Sequence, residues 1–406
     1  MYSYLFSIFS RGFLALTGIL VFVVSARLFG AEGRGTISYG ISVFAALGLF
    51  MSFNLGRAFL SSTQKQEDSK RDMLSTYLFL NLALMFITAL LGSIFWFFSS
   101  SSRSILTFKQ ICIFSLSSAY YVWNINGNPF FSSVSKIQIQ DRIILAIRIL
   151  IFLFLALFSL YQIKSFDTFI FFYSILLSLG SLIEIAYLFF LYEKIHFIRD
   201  QIKGIFRKSI TPHFDYLAFN SFPLVLIVLS GIFLQKASIG RANFVIQMIS
   251  LIFMFGLVAN NKLNSYVSKF KLQQKRREIL KLLYFTSGIS FVMVIAIYSV
   301  ITSTFFLNYF SDFVGVGNMF LLATLAIPGY LGYQFCNPFW IENHLLSQSA
   351  NYTFLTYLLS LLLCPYVLGK YGEIGLVGIF TLFHLLLLPV QGLVYRIYLK
   401  RAQIPT

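Results

Sequence analysis

Several ionisable side chains stand where a chain this apolar should hold none. Arg11 falls well inside the first apolar run, Arg27 ends that run, Arg57 lies near the end of the second, and Arg148 and Glu184 sit in the fifth and sixth. An ionisable group at the centre of a membrane span costs roughly 2.5–3.5 kcal/mol unless it faces a cavity or a partner, so each position is a clue to chemistry. Guanidinium is planar, permanently charged and matched to two phosphate oxygens, so inward arginines suit a phosphate-bearing cargo. Arg27 and Arg57 are close enough to span ends to reach the headgroups. Arg11, about a third of the way across at 1.5 Å per residue, is not. Arg148 and Glu184 belong to one hairpin and are expected either to form an ion pair or to serve a proton or substrate role. His384, in the last run, reads as a hydrogen-bonded packing residue or a proton relay. Lys236, which follows the seventh run, is the second-half counterpart of Arg27.

No catalytic pattern accompanies these charges. HExxH, GxSxG and Walker lysine motifs are all missing, and "GAEGRG" from Gly30 reads as a turn between two spans, without the strand a dinucleotide site needs. Cys112, Cys336 and Cys364 lie in apolar segments without metal-ligand spacing and read as packing residues. The expectation is a non-enzyme with no metal and no cofactor, with proton or sodium coupling as the open alternative.

The elements that must position these groups follow from composition. Of 406 residues 58% are hydrophobic and only 11% charged, with 49 phenylalanines, and the mean hydropathy is +0.80. Ordinary globular chains are about 25% charged. This predicts an all-α polytopic membrane protein of about 12 transmembrane helices and excludes a large soluble domain. Apolar runs place the spans at about 5–28, 37–60, 74–98, 110–130, 143–161, 168–192, 215–235, 244–261, 282–304, 318–338, 352–369 and 375–396. With Arg11 preceding an apolar run that ends "VSA" around Ser25, the N-terminus has the look of a signal peptide, but the many spans after it make it an uncleaved first helix. Most of the 31 Lys and Arg residues fall in alternate connections and at the C-terminal end. The positive-inside rule then places both termini of a multi-pass membrane protein in the cytoplasm. The formal charge of +17 reads as topology and contact with membrane lipids, and nucleic-acid binding is not expected. The central connection "EKIHFIRDQIKGIFRK" spaces Ile195, Ile198, Ile202, Ile205 and Phe206 along one helical face, which predicts an amphipathic helix on the membrane surface.

Asn-Pro-aromatic occurs twice, in "NGNPFF" from Asn126 and "CNPFW" from Cys336, each where an apolar run gives out. Asp167 and Glu373, "LYEK" and "IYLK", and Arg27 and Lys236 recur at nearly the same half-chain offset. Such coincidence argues for duplication. The expected organisation is an N-terminal six-helix lobe (1–192), a cytoplasmic amphipathic connection (193–214) and a C-terminal six-helix lobe (215–406), with the lobes related by a pseudo-two-fold along the membrane normal. Pro129 and Pro338 are expected to stop their helices at Asn128 and Asn337, as an inherited terminator or a gating hinge.

"SARLFGAEGRGTISYG" (Ser25 to Gly40) resembles the signature joining the first two helices of Wzx-type polysaccharide flippases, members of the multidrug/oligosaccharidyl-lipid/polysaccharide superfamily. "KYGEIGLVGIF" (Lys370 to Phe380) is similar to the segment that opens their last helix. The resemblance implies a flippase that carries undecaprenyl-diphosphate-linked oligosaccharide repeat units across the bacterial inner membrane by alternating access, for O-antigen, capsule or exopolysaccharide biosynthesis. It implies a lipid-linked oligosaccharide and membrane lipids as partners, with a polysaccharide polymerase and glycosyltransferases nearby; the cost of cations in lipid then makes Arg11, Arg27 and Arg57 the expected substrate-binding cations, with Lys236 as a weaker candidate. Family members often keep an acidic residue near the end of the seventh span, where this chain has Gln235 and Lys236. The alternative is a cation-coupled multidrug extruder of the same superfamily, which would want acidic cavity residues. A glycan ligase or polymerase using the same lipid would want a large periplasmic loop, which the short outer connections do not supply.

Overall fold

A computed structural model describes residues 2–63, 70–191, 202–267, 276–342 and 345–402. Within these, side chains are described except at 2–12, 14–15, 60–63, 70–72, 208, 211–212, 215, 265–267, 276, 341–342, 346, 394–395 and 397–402. Of the predicted connecting helix, Ile195 and Ile198 lie outside the described residues. Among those described, regular structure is helical throughout, and eight segments are long and apolar enough to cross a membrane. The chain is a multi-pass membrane protein.

The chain divides into two compact units, residues 1–217 and 218–406. The first holds α1 (Tyr2–Met51), α2 (Leu55–Thr63), α3 (Lys70–Phe98), α4 (Ser100–Ile105), α5 (Phe108–Ser115), α6 (Ser118–Ser133), α7 (Ile137–Leu160), α8 (Phe166–Leu191) and most of α9 (Ile202–Asn220). The second holds α10 (Phe222–Ser230), α11 (Lys236–Val267), α12 (Arg276–Ile301), α13 (Thr304–Tyr309), α14 (Val316–Thr324), α15 (Ala326–Glu342) and α16 (Leu346–Ala402).

Two apolar segments, Leu16–Phe59 of 44 residues and Ser347–Leu393 of 47, are about twice the ~20 residues one crossing takes. Each is interrupted by one glycine of positive φ, Gly30 at 64° and Gly372 at 57°. A side chain there would clash with the backbone, so the break falls where no Cβ exists. The expected "GAEGRG" loop is therefore a single-residue interruption, with helix resuming at once on either side. The following residues, Ala31 and Arg34 through Gly40, are buried.

The prolines do not stop their helices. Pro129 lies inside α6 and Pro338 inside α15, which run on to Ser133 and Glu342. Lacking an N–H, Pro338 leaves the carbonyl four residues back, on Gln334, without its helical donor. Asn260 Nδ2 of α11 donates to that carbonyl at 2.9 Å and to Gln334 Oε1 at 2.7 Å. Proline here opens a backbone acceptor for a neighbouring helix. In the first unit Asn126 Nδ2 reaches Ser52 O at 3.0 Å and Asn81 Oδ1 at 2.7 Å, while its Oδ1 accepts from Gly56 N at 3.1 Å. Both cross-links join positions 74 residues apart, and the two pairs are displaced by the half-chain offset of the repeats.

The recurring acids behave alike within their own units. Asp167 at the start of α8 pairs with Lys109 at 2.9 Å and accepts from Gln110. Glu373 after the Gly372 break is held by Arg241 through contacts of 2.8 to 3.2 Å. Apolar packing completes each unit. Phe59, Tyr77, Val122, Trp123, Phe130 and Leu188 form a buried cluster in the first, and Phe253 stacks on Tyr330 and Phe222 on Phe383 in the second.

The proline reading predicts a compensation. Asn260→Ala should lower stability by about 1 kcal/mol, because it strands the Gln334 carbonyl. In a Pro338→Ala background the restored N–H supplies that carbonyl, and the same substitution should cost less than half as much. A double-mutant cycle on detergent melting temperatures measures the coupling, and strict additivity contradicts the reading.

Candidate functional site

The polar interior of the first unit is built where α6, α7 and α8 meet, around the "NGNP" stretch. Glu184 on α8 is only 4% exposed. Its Oε2 accepts from Trp123 Nε1 of α6 at 2.7 Å and from Gln140 Nε2 of α7 at 2.9 Å. Gly127 is what lets these donors converge. A Cβ on it would stand 2.7 Å from Trp123 Nε1 and 3.0 Å from Gln140 Nε2. Asn126, one residue earlier, fixes α6 against α2 and α3, and Asp141, beside Gln140, is buried close to Glu184. The second carboxylate oxygen of Glu184 has no hydrogen-bond partner among the described residues.

Arg148 and Glu184 do not pair. Gln140 takes the position opposite Glu184, and Arg148 lies about 12 Å further along α7 at 1.5 Å per residue. There, 6% exposed, it donates from Nη2 to Tyr120 OH at 3.1 Å with its guanidinium carbon 5.7 Å from the Tyr120 ring. One of its five donors is used among the described residues. A second buried arginine lies in the "GAEGRG" stretch, whose composition is that of a turn. Arg34 is 2% exposed, donates from Nη1 to Ser25 Oγ at 3.3 Å and lies over Phe22 at 4.7 Å. Tyr173 of α8 lies in the field of both arginines, and Tyr121 in that of Arg148. Two guanidinium groups and three tyrosines thus form a cationic, hydroxyl-rich centre within one unit. The signal that could have exposed Arg34 is the glycine spacing about it, Gly30, Gly33 and Gly35, which lets backbones close over a side chain.

The other predicted residues are dispersed. Arg27 is exposed on α1 before the Gly30 break, and Arg57 is exposed on α2 with its guanidinium 5.9 Å from the Tyr216 ring. The limb of α1 between Gly30 and Met51 is roughly 30 Å long at 1.5 Å per residue, so the two stand near opposite ends of it. Arg11 lies in α1, its side chain outside the described residues. Lys236, half-buried, opens α11 in the second unit. His384 is buried in α16, its Nδ1 2.8 Å from Phe380 O and its ring enclosed by Phe219, Phe253, Tyr330, Phe380 and Phe383. That surrounding is aromatic, with the Tyr330 ring 6.1 Å from the imidazole. Among the described residues no group of three metal-ligating side chains occurs.

No protein-family model matches the chain, and no curated protein matches it. Solved structures do. The lipid II flippase MurJ in an inward closed conformation is 16% identical, with a TM-score of 0.67 over 97% of this chain and 87% of that one. An inward-facing multidrug resistance MATE family transporter of the MOP superfamily is 15% identical, TM-score 0.63, over 95% and 94%. A MOP superfamily transporter from Pyrococcus furiosus Vc1 (DSM3638), described as having a binding pocket of reverse polarity that suggests a different function, is 14% identical, TM-score 0.56, over 98% and 94%. The chain has the all-helical, two-lobed fold of these transporters.

Proposed function

We propose that the chain is a flippase for undecaprenyl-diphosphate-linked oligosaccharide repeat units, working by alternating access between an N-terminal lobe (1–192) and a C-terminal lobe (215–406) joined by the 193–214 connection. The observation that carries this reading is the cationic centre of Arg34 and Arg148 with Tyr120, Tyr121 and Tyr173. Buried guanidinium favours an anionic headgroup, and phenolic hydroxyls beside it suit sugar. Arg27 and Arg57, near opposite ends of one helical limb, would meet a travelling diphosphate in succession, with Arg11 along the same helix and Lys236 in the other lobe. Glu184, with Asp141 beside it, is the candidate group for proton or sodium coupling. The protein sits in the bacterial inner membrane with both termini cytoplasmic, serves surface polysaccharide biosynthesis, and works beside a polymerase and glycosyltransferases.

The test is complementation of a deletion strain, scored by surface polysaccharide at matched protein levels. Deletion is expected to abolish the polymer and leave lipid-linked units on the cytoplasmic leaflet. Arg148→Ala should cut the restored polymer about tenfold and Arg148→Lys less, since lysine keeps the charge and loses the planar fork. Normal polymer in a deletion strain that has no second flippase overturns the reading.

Buried Glu184 and Asp141 favour a second reading, a cation-coupled multidrug extruder, because carboxylates suit cationic drugs. That reading predicts that deletion sensitises cells to ethidium and leaves surface polymer intact.

A further inference from the structure

The second apolar segment of the chain does not run straight to its end. Between α1 and α2 the residues Phe53 and Asn54 both take left-handed backbone, with φ of 46° and 50°, a conformation that side chains other than glycine adopt at a cost of about 1 kcal/mol or more each. Something must hold this break. From one side Asn126 grips it, taking Ser52 O and Gly56 N, the backbone groups that flank it. The other side is held by α9. His213 Nε2 lies 3.1 Å from Phe50 O, and since a carbonyl only accepts, that nitrogen carries the proton. Asn54 N meanwhile turns to Ser52 Oγ at 3.4 Å, so the histidine supplies a donor to a carbonyl at the end of α1. The Phe53 ring is caught between the His213 ring at 5.5 Å and Phe206 edge-on at 4.9 Å. Ile205 is buried in the core beneath, and Tyr216 lies under the Arg57 guanidinium. His213 Nδ1 is buried with no partner among the described residues, so the ring is placed for the Phe50 contact at the cost of its other nitrogen. Burial holds the imidazole below the ordinary histidine range, which keeps it neutral in this position.

α9 spans the boundary between the two compact units, which falls between Leu217 and Ala218. It is one helix, so rotation or translation of its C-terminal turn is transmitted to Tyr216, His213 and Phe206. We infer that α9 is a latch on the Phe53–Asn54 break: docked, it keeps α2 and its Arg57 in the position seen here, and a change of state in the second unit draws His213 and Phe206 off the break and frees α2 to move. Rested on the reading of the chain as an alternating-access transporter, this makes His213, Phe206 and Tyr216 positioning residues for Arg57.

Two measurements on the full chain test it. The first needs no cargo. In hydrogen–deuterium exchange of purified protein, His213→Leu removes the donor and should speed exchange of amides 54–58 about tenfold, whereas His213→Gln, which can still donate, should stay within about threefold of the parent. Equal exchange in parent and both variants overturns the latch. The second uses Phe53→Cys with Phe206→Cys in a chain whose Cys112, Cys336 and Cys364 are replaced, bridged by a reducible bis-methanethiosulfonate. The unbridged form of this chain sets its own reference rate; purified, bridged and returned to inner-membrane vesicles of that strain, the chain should lose translocation of the strain's lipid-linked units at least tenfold against that reference and regain it on reduction. Full translocation while bridged overturns the release step. Failure of even the unbridged and parent chains to restore polymer counts against the flippase reading, and the exchange result still decides the latch.

Discussion

Gly329→Ala should leave little folded protein. A Cβ at Gly329 would stand 1.8 Å from the backbone oxygen of His384, 2.4 Å from its carbonyl carbon and 3.1 Å from Leu385 N. All three are backbone atoms of α16, which no rotamer change can move aside, so α15 would have to retreat along its length. Membrane helices lack a hydrophobic drive toward one another and rely on such close approach. Overpacking typically costs 1–3 kcal/mol, and a backbone clash of this depth belongs at or above about 3 kcal/mol. The control lies one turn away on the same face. A Cβ at Gly332 meets only Leu388 Cδ2 at 3.0 Å, the mobile tip of a side chain, so Gly332→Ala should cost under about 1 kcal/mol. Monodisperse yield and melting temperature in detergent separate the two, and equal loss at both positions contradicts the packing account.

That contrast shows where sequence reading succeeds and where it stops. Apolar runs are long compared with the period they must be told from, so helical class, membrane residence and most span positions were legible. Boundaries were not. Gly30 and Gly372 interrupt helices through one residue of positive φ, whereas the expectation was a loop of several, because glycine-rich sequence reports permission to turn and not the length of the turn. Pro129 and Pro338 were expected to stop helices. Each sits within a turn or so of a helix end, and at Pro338 the carbonyl it strands is supplied by Asn260, a partner 74 residues away that no local pattern announces.

The site was partly legible for the same reason. Glu184 and Arg148 stood out as charges among apolar neighbours, but their partners depend on the rotation of α7 against α6 and α8. Gln140 and Trp123 look like ordinary residues in the sequence and turn out to hold the carboxylate. Arg34 was the clearest miss. Loop-like composition makes it read as part of a turn, and the burial of the whole stretch from Arg34 to Gly40 reflects small residues that let other helices approach. Depth in the membrane, the criterion that found Arg11 and Arg57, cannot find a cation hidden beside a break.

Glu184 carries the sharpest functional expectation, because its two roles respond differently to substitution. Glu184→Leu removes the acceptor of both Trp123 Nε1 and Gln140 Nε2. Two buried donors stranded at about 1–3 kcal/mol each should cost roughly 2–5 kcal/mol and reduce folded yield outright. Glu184→Gln is different. Its amide oxygen can occupy the position of Oε2 and accept from both donors, so the protein should fold and melt within about 1 kcal/mol of the parent. What glutamine cannot do is take up and release a proton or bind a cation, and the carboxylate oxygen that lacks a partner becomes an amide NH2. If Glu184 couples transport to an ion gradient, Glu184→Gln should lower gradient-driven translocation about a hundredfold at normal protein levels and abolish its response to a proton or sodium ionophore. Glu184→Asp should keep part of the activity, since it retains the charge while shortening its reach toward Trp123. The measurement is translocation in inside-out vesicles with each gradient imposed in turn. A Glu184→Gln chain that folds and transports at the parental rate makes the carboxylate a structural acceptor only, and moves the search for coupling to Asp141, the buried acid next to Gln140.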